Sequence, residues 1–140
     1  MSHAGNCGRF NVTWFSTTAG TPSDLNLTLT LTDLLGNTSV ASAASPTIGS
    51  GSSTGIHSGD DRGASGAGAE EVAFTQFFPS GTYTMKVDQA GPNPARAQVT
   101  VFRGPTQKVL RSIGVAPDPP LILQPGESFS TTVKIRAKSK

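Results

Sequence analysis

The sequence predicts an all-β chain folded as a two-sheet antiparallel β-sandwich of jelly-roll-like form. Three observations carry that expectation. Apolar and polar residues alternate with period two through most of the chain, turn-forming residues interrupt the alternation at short intervals, and the composition is poor in charge but rich in Ser, Thr and Gly. Hydrophobic residues make up 35% and charged residues 14% of the 140 positions, so hydroxyls fill the outward strand positions where a helical protein would carry Glu, Lys and Ala. This length suits one core, and a single domain over 1–140 is expected.

The elements follow in order. Phe10, Val12 and Trp14 share one face of a first strand, which favours Trp14 as a core anchor over an exposed platform. Leu25, Leu27, Leu29 and Leu31 then alternate with Asn26, Thr28, Thr30 and Thr32; a helix would scatter those leucines around its circumference. Ser39 to Ala44 reads as a weak strand. Val72 and Phe74 with Phe78, then Tyr83, Met85 and Val87, then Ala97, Val99 and Val101 repeat the period. Val109, Ile113 and Val115 suggest a further strand, and Phe129, Thr131, Val133 and Ile135 a last one, giving about eight in all.

Reversals fall between these runs, at Gly20-Thr21-Pro22, Leu35-Gly36-Asn37, Pro79-Ser80-Gly81, Gly91-Pro92-Asn93-Pro94, Gly104-Pro105, Pro117-Asp118-Pro119-Pro120 and Pro125-Gly126. No helical crossover pattern separates the strands, which argues against a parallel α/β sheet. Two segments break the rhythm. Residues 1–8 read as a loose terminus, and Ser45 to Ala69 as one long Gly/Ser-rich loop whose apolar anchors are Ile48 and Ile56 and whose polar residues include His57, Asp60, Asp61 and Arg62.

The net charge is +2, yet its distribution says more than its sum. Asp24, Asp33, Asp60, Asp61, Glu70 and Glu71 precede Arg96, Arg103, Lys108, Arg111, Lys134, Arg136, Lys138 and Lys140, an acidic front and a basic back. Stacking aromatics do not accompany the C-terminal cations, so no nucleic-acid partner is expected. A lone Cys7 excludes an internal disulfide framework and a multi-cysteine zinc site. No apolar run approaches the ~20 residues of a membrane helix, so no membrane insertion is expected. Met1 to Gly8 lacks the charged and apolar regions of a signal peptide, implying either another route or a module of a longer exported parent.

Taken in order, four segments resemble a known kind of module. Asn11-Val12-Thr13-Trp14, Asp24-Leu25-Asn26-Leu27, a Gly-rich stretch ending Gly68-Ala69-Glu70-Glu71-Val72, and Pro79-Ser80-Gly81-Thr82-Tyr83-Thr84 together look like the YfaP-type family of bacterial β-sandwich domains. Bacterial pre-peptidase C-terminal domains share part of the pattern. The resemblance covers roughly Phe10 to Val101 and rests on the order of short motifs. It implies a non-catalytic accessory or interaction module of a bacterial envelope or exported protein, and hence an extracellular or cell-envelope location.

Within that frame the sharpest site expectation is calcium, which takes six to eight oxygens. Asp24 and Asn26, two apart on the leucine strand, are expected to leave by its outer face, and Asp60, Asp61, Glu70 and Glu71 to complete a shell if the Gly-rich loop folds back. The family pattern has a second acid where this chain has Asn26, which removes one charge. Read without a metal, the same residues are ordinary loop and strand-end acids. Two other roles are open: glycan recognition through Phe15 or Phe77, and homo-oligomerisation through an apolar run of Phe74, Phe77 and Phe78. No enzyme is expected, because His3 and His57 lack metal-ligand spacing and a neighbouring nucleophile motif, and adjacent Asp60 and Asp61 lack rigid support. Three glycosylation-type matches, at Asn11, Asn26 and Asn37, are discounted as chance in a chain rich in Ser and Thr.

Overall fold

The computed structural model describes residues 7–18, 20–49, 53–61, 63, 66–75, 77–104 and 106–136. The expectations that concern residues 1–6, Arg62, Pro105, Lys138 and Lys140 lie outside these described residues. Strand β1 spans Gly8–Ser16, β2 Leu25–Asp33, β3 Thr38–Ala41, β4 Thr47–Ile48, β5 Gly55–His57 and β6 Ala67–Phe74. They are followed by β7 at Gly81–Gln89, β8 at Ala95–Arg103, β9 at Lys108–Ile113, β10 at Leu121–Leu123 and β11 at Ser128–Ile135. One sheet runs β10-β8-β1-β6-β5-β4, with β9 also pairing β8; the other runs β11-β7-β2-β3. Every ladder is antiparallel, and the architecture is a two-sheet β-sandwich.

Period-two patterning explains the core directly. All four leucines of β2 are buried, as are Phe10, Val12 and Trp14 of β1, and Val72 and Phe74 of β6 on the facing sheet. Each such side chain contributes about 1.5–3 kcal/mol by leaving water. Phe10, Phe74, Phe78 and Tyr83 form one ring cluster, with Phe10 and Tyr83 centroids 4.9 Å apart and Phe74 and Phe78 5.4 Å apart. Tyr83 points its ring inward, and its hydroxyl donates to the Pro79 carbonyl, which pins the turn entering β7.

Several expectations need correction. Gly8 belongs to β1, because its missing side chain lets the Phe78 ring lie where a Cβ would sit, 2.2 Å from the ring. The structure has eleven strands among the described residues, not about eight. The extra ones come from β10 and from the supposed long loop. Within Ser45 to Ala69 the chain makes the β4–β5 hairpin, which pairs with β6 and carries Ile48 into the core. Ile56, by alternation, points out. Phe74 and Phe78 are core residues held by the ring cluster, so of the apolar run Phe74, Phe77 and Phe78 the half-buried Phe77 is the one that reaches the surface.

Candidate metal centre

Strand β3 pairs with β2 from Leu29 to Thr32 and goes no further toward the start of β2. The backbone of Leu27 therefore faces a gap where a neighbouring strand would otherwise bond it. Two side chains from the opposite sheet fill that gap. Leu27 N–H donates to Glu70 Oε1 at 2.9 Å, and His57 Nε2 lies 3.0 Å from the Leu27 carbonyl oxygen. Glu70 and His57 thus replace a missing strand and tie the two sheets together.

Alternation places Glu70. Val72 and Phe74 point into the sandwich from β6, and Glu70 shares their parity, so its carboxylate is buried. Its second oxygen, Oε2, accepts the Asp61 N–H at 3.1 Å. His57 is buried beside it, with Nε2 3.4 Å from Glu70 Oε1. Gly59 N–H donates to His57 Nδ1 at 2.9 Å, so the neutral ring carries its proton on Nε2 and donates toward Leu27. Burial works to lower the imidazole pKa. The hydrogen bonds to Glu70 and the Leu27 carbonyl and the charges of Glu70 and Asp60 outweigh it, and the pKa is raised above 6.5.

The loop between β5 and β6 folds down over this corner. Ser23 N–H donates to the Gly63 carbonyl, and Trp14 Nε1–H to the Ser23 carbonyl at 3.0 Å. Gly63 has φ 57°. A Cβ there would sit 1.9 Å from the Ser23 carbonyl oxygen, so both conformation and space require glycine.

This folding brings three of the six expected ligand residues together. One carboxylate oxygen each from Asp24, Asp60 and Glu70 lies within 4.8 Å of the others. Asp60 is exposed, Asp24 half-buried and Glu70 buried, so the cluster opens to solvent on the Asp60 side. The other three go elsewhere. Asp61 accepts Gly63 N–H and Ala69 N–H on its two carboxylate oxygens, closing the loop onto β6. Glu71 has the opposite parity to Glu70 and meets Arg9 and Asn11 on the outer face of the larger sheet. Asn26 sits on the outer face of the smaller sheet, opposite Asp88, while Glu70 approaches β2 from inside. The expected outer-face convergence of Asp24 with Asn26 therefore does not occur.

Sequence reasoning missed His57 as a partner in this site. Its signal was the short alternation Gly55, Ile56, His57, which is weak at three residues. Of the two phenylalanines considered for glycan contact, Phe15 is exposed, with Arg96 6.0 Å from its ring centre, and Phe77 is half-buried. Among the described residues, no helix is long and apolar enough to cross a membrane. No family model, curated protein or solved structure matches this chain.

Proposed function

We propose that this domain is a non-catalytic accessory or interaction module of a bacterial envelope or exported protein, stabilised by a calcium ion held by Asp24, Asp60 and Glu70. The observation that carries the metal reading is the convergence of those carboxylates from three segments distant in sequence, with Glu70 fixed by two backbone donors. Hard oxygen donors suit calcium, and the exposed Asp60 side leaves room for water ligands. Three carboxylates with an open side point to weak binding, of the order of 10⁻⁴–10⁻³ M. The bound ion would tie the β5–β6 loop to the start of β2.

The non-catalytic reading is supported by the commitment of His57, whose two ring nitrogens serve the Gly59 N–H and the Leu27 carbonyl. The bacterial envelope assignment is supported by the ordered motifs that resemble YfaP-type modules. Titration calorimetry and thermal melting with calcium, magnesium and EDTA test the metal reading. At ~10 mM calcium the expected gain is about 1.4–2.7 kcal/mol, or roughly 5–10 °C in Tm. Absence of heat together with an unchanged Tm would overturn it.

A second reading has one specific observation behind it. Phe15 is exposed on the larger sheet beside the small residue Ala67, with Arg96 over its ring, an aromatic and cationic pair of the kind that can contact a sugar ring. Glycan-array binding lost in Phe15→Ala would support this role, and silence at high protein concentration would remove it.

A further inference from the structure

The open edge of the smaller sheet is a second place where the chain presents unused recognition chemistry. Among the described residues, strand β11 is the terminal strand there and pairs only with β7 along its eight residues. Gln89 N–H donates to the Glu127 carbonyl, so the odd-numbered backbone groups of this segment turn toward β7. By alternation, Ser128, Ser130, Thr132 and Lys134 turn their N–H and C=O groups outward. Consistent with that direction, Arg103 Nη2–H reaches the Arg136 carbonyl at 2.6 Å.

Cations border the C-terminal half of this edge. Lys134 is exposed on the strand itself, and Arg136 is exposed just past its end. Arg111 Nη1–H donates to Thr131 Oγ1 at 3.1 Å, and Lys108 pairs with Arg103 across β8 and β9. Lys134 and Arg136 also line a cleft of about 270 Å³ with Leu34, Gly81 and Thr82. Acids gather at the other end, where Asp88 accepts from Ser128 Oγ and pairs with Lys86, and Glu127 accepts Gln124 N–H.

We propose that β11 is a docking edge for an extended acidic peptide segment of a partner protein, which adds as a fifth strand with its carboxylates on the outer face against Lys134 and Arg136. Two features select this occupant. Outward backbone groups at every second residue are complemented by another extended backbone and not by a polysaccharide, which could satisfy the cations alone. The cations disfavour pairing with a second copy of the same basic edge, the usual guard against aggregation, and favour an acidic strand. This site is separate from the acidic triad, so the two proposals stand or fall independently.

The test uses the full chain in EDTA, which removes calcium from the outcome. The probe is an acetylated, amidated eight-residue peptide of alternating Glu and Thr. Expected are saturable binding by NMR and slowed amide exchange at Ser130, Thr132 and Lys134. N-methylation of alternate peptide residues, which keeps charge and removes ladder hydrogen bonds, is expected to weaken binding at least about tenfold. The double variant Lys134→Glu with Arg136→Glu, both exposed, is expected to weaken it comparably. Equal binding of the N-methylated peptide would show a cation surface for any polyanion and overturn the proposal. So would absence of binding, protection confined to β3, or concentration-dependent dimerisation through β11 without peptide.

Discussion

Replacing Glu70 by Gln separates the structural work of this carboxylate from any role in holding a metal. In EDTA the carboxylate accepts two buried backbone donors, Leu27 N–H at 2.9 Å and Asp61 N–H at 3.1 Å. The amide that Glu70→Gln introduces keeps one carbonyl oxygen for one of them and presents an NH₂ group to the other, so a donor meets a donor. One charge-assisted hydrogen bond is lost and the other becomes neutral, a cost of about 2–3 kcal/mol. The opposing effect is relief of repulsion among Asp24, Asp60 and Glu70. Solvent at the exposed Asp60 screens that term, and the fixed buried donors win. At roughly 4 °C per kcal/mol for a domain of this size, Tm falls by about 8–12 °C. Glu70→Ala, which strands both donors and leaves a cavity, should cost at least about 4 kcal/mol. Urea and thermal unfolding at pH 7 in EDTA measure both. A Glu70→Gln protein that melts within about 2 °C of wild type, or above it, would refute the claim that this side chain substitutes for a missing strand.

Asp60→Asn should abolish the calcium-dependent rise in Tm, measured against the same variant in EDTA. Gly63→Ala forces a side chain into the Ser23 carbonyl at positive φ; a loss of at least about 2 kcal/mol and faster proteolysis between β5 and β6 are expected. Tyr83→Phe removes the hydrogen bond to Pro79 and should cost about 1 kcal/mol, read as a Tm decrease of roughly 4 °C. Burial also pushes the Tyr83 phenol up, so its phenolate absorbance should appear only as the protein unfolds in alkali. The folded His57 pKa lies above 6.5, so the native state binds the proton more tightly than the unfolded chain. In EDTA that contribution is fully present below pH 6.5 and is lost as pH rises through the folded value. His57→Gln should flatten this dependence in urea titrations across the series. A wild-type stability that is level or rising through the same window would show that the Gly59 bond to Nδ1 dominates.

What the sequence determined by itself was whatever depends on alternation. The four leucines of β2, the inward Trp14 and Tyr83, and the outward Phe15 were legible because one extended backbone assigns their faces locally. The same parity separated Glu70 from Glu71, since Val72 and Phe74 already fixed which face of β6 is inside, although treating five acids and Asn26 as one pool hid it. The β4–β5 hairpin was illegible for a different reason. Two- and three-residue strands carry too few positions for a period, and they hold because β6 offers them a ladder. Tertiary structure alone decided that β3 pairs with β2 no further than Leu29, that the backbone of Leu27 is answered by Glu70 and His57, and that Asp24 and Asp60 come beside them. Such a site depends on which strand ends where in a neighbouring layer, and no run of residues along one strand encodes the length of another.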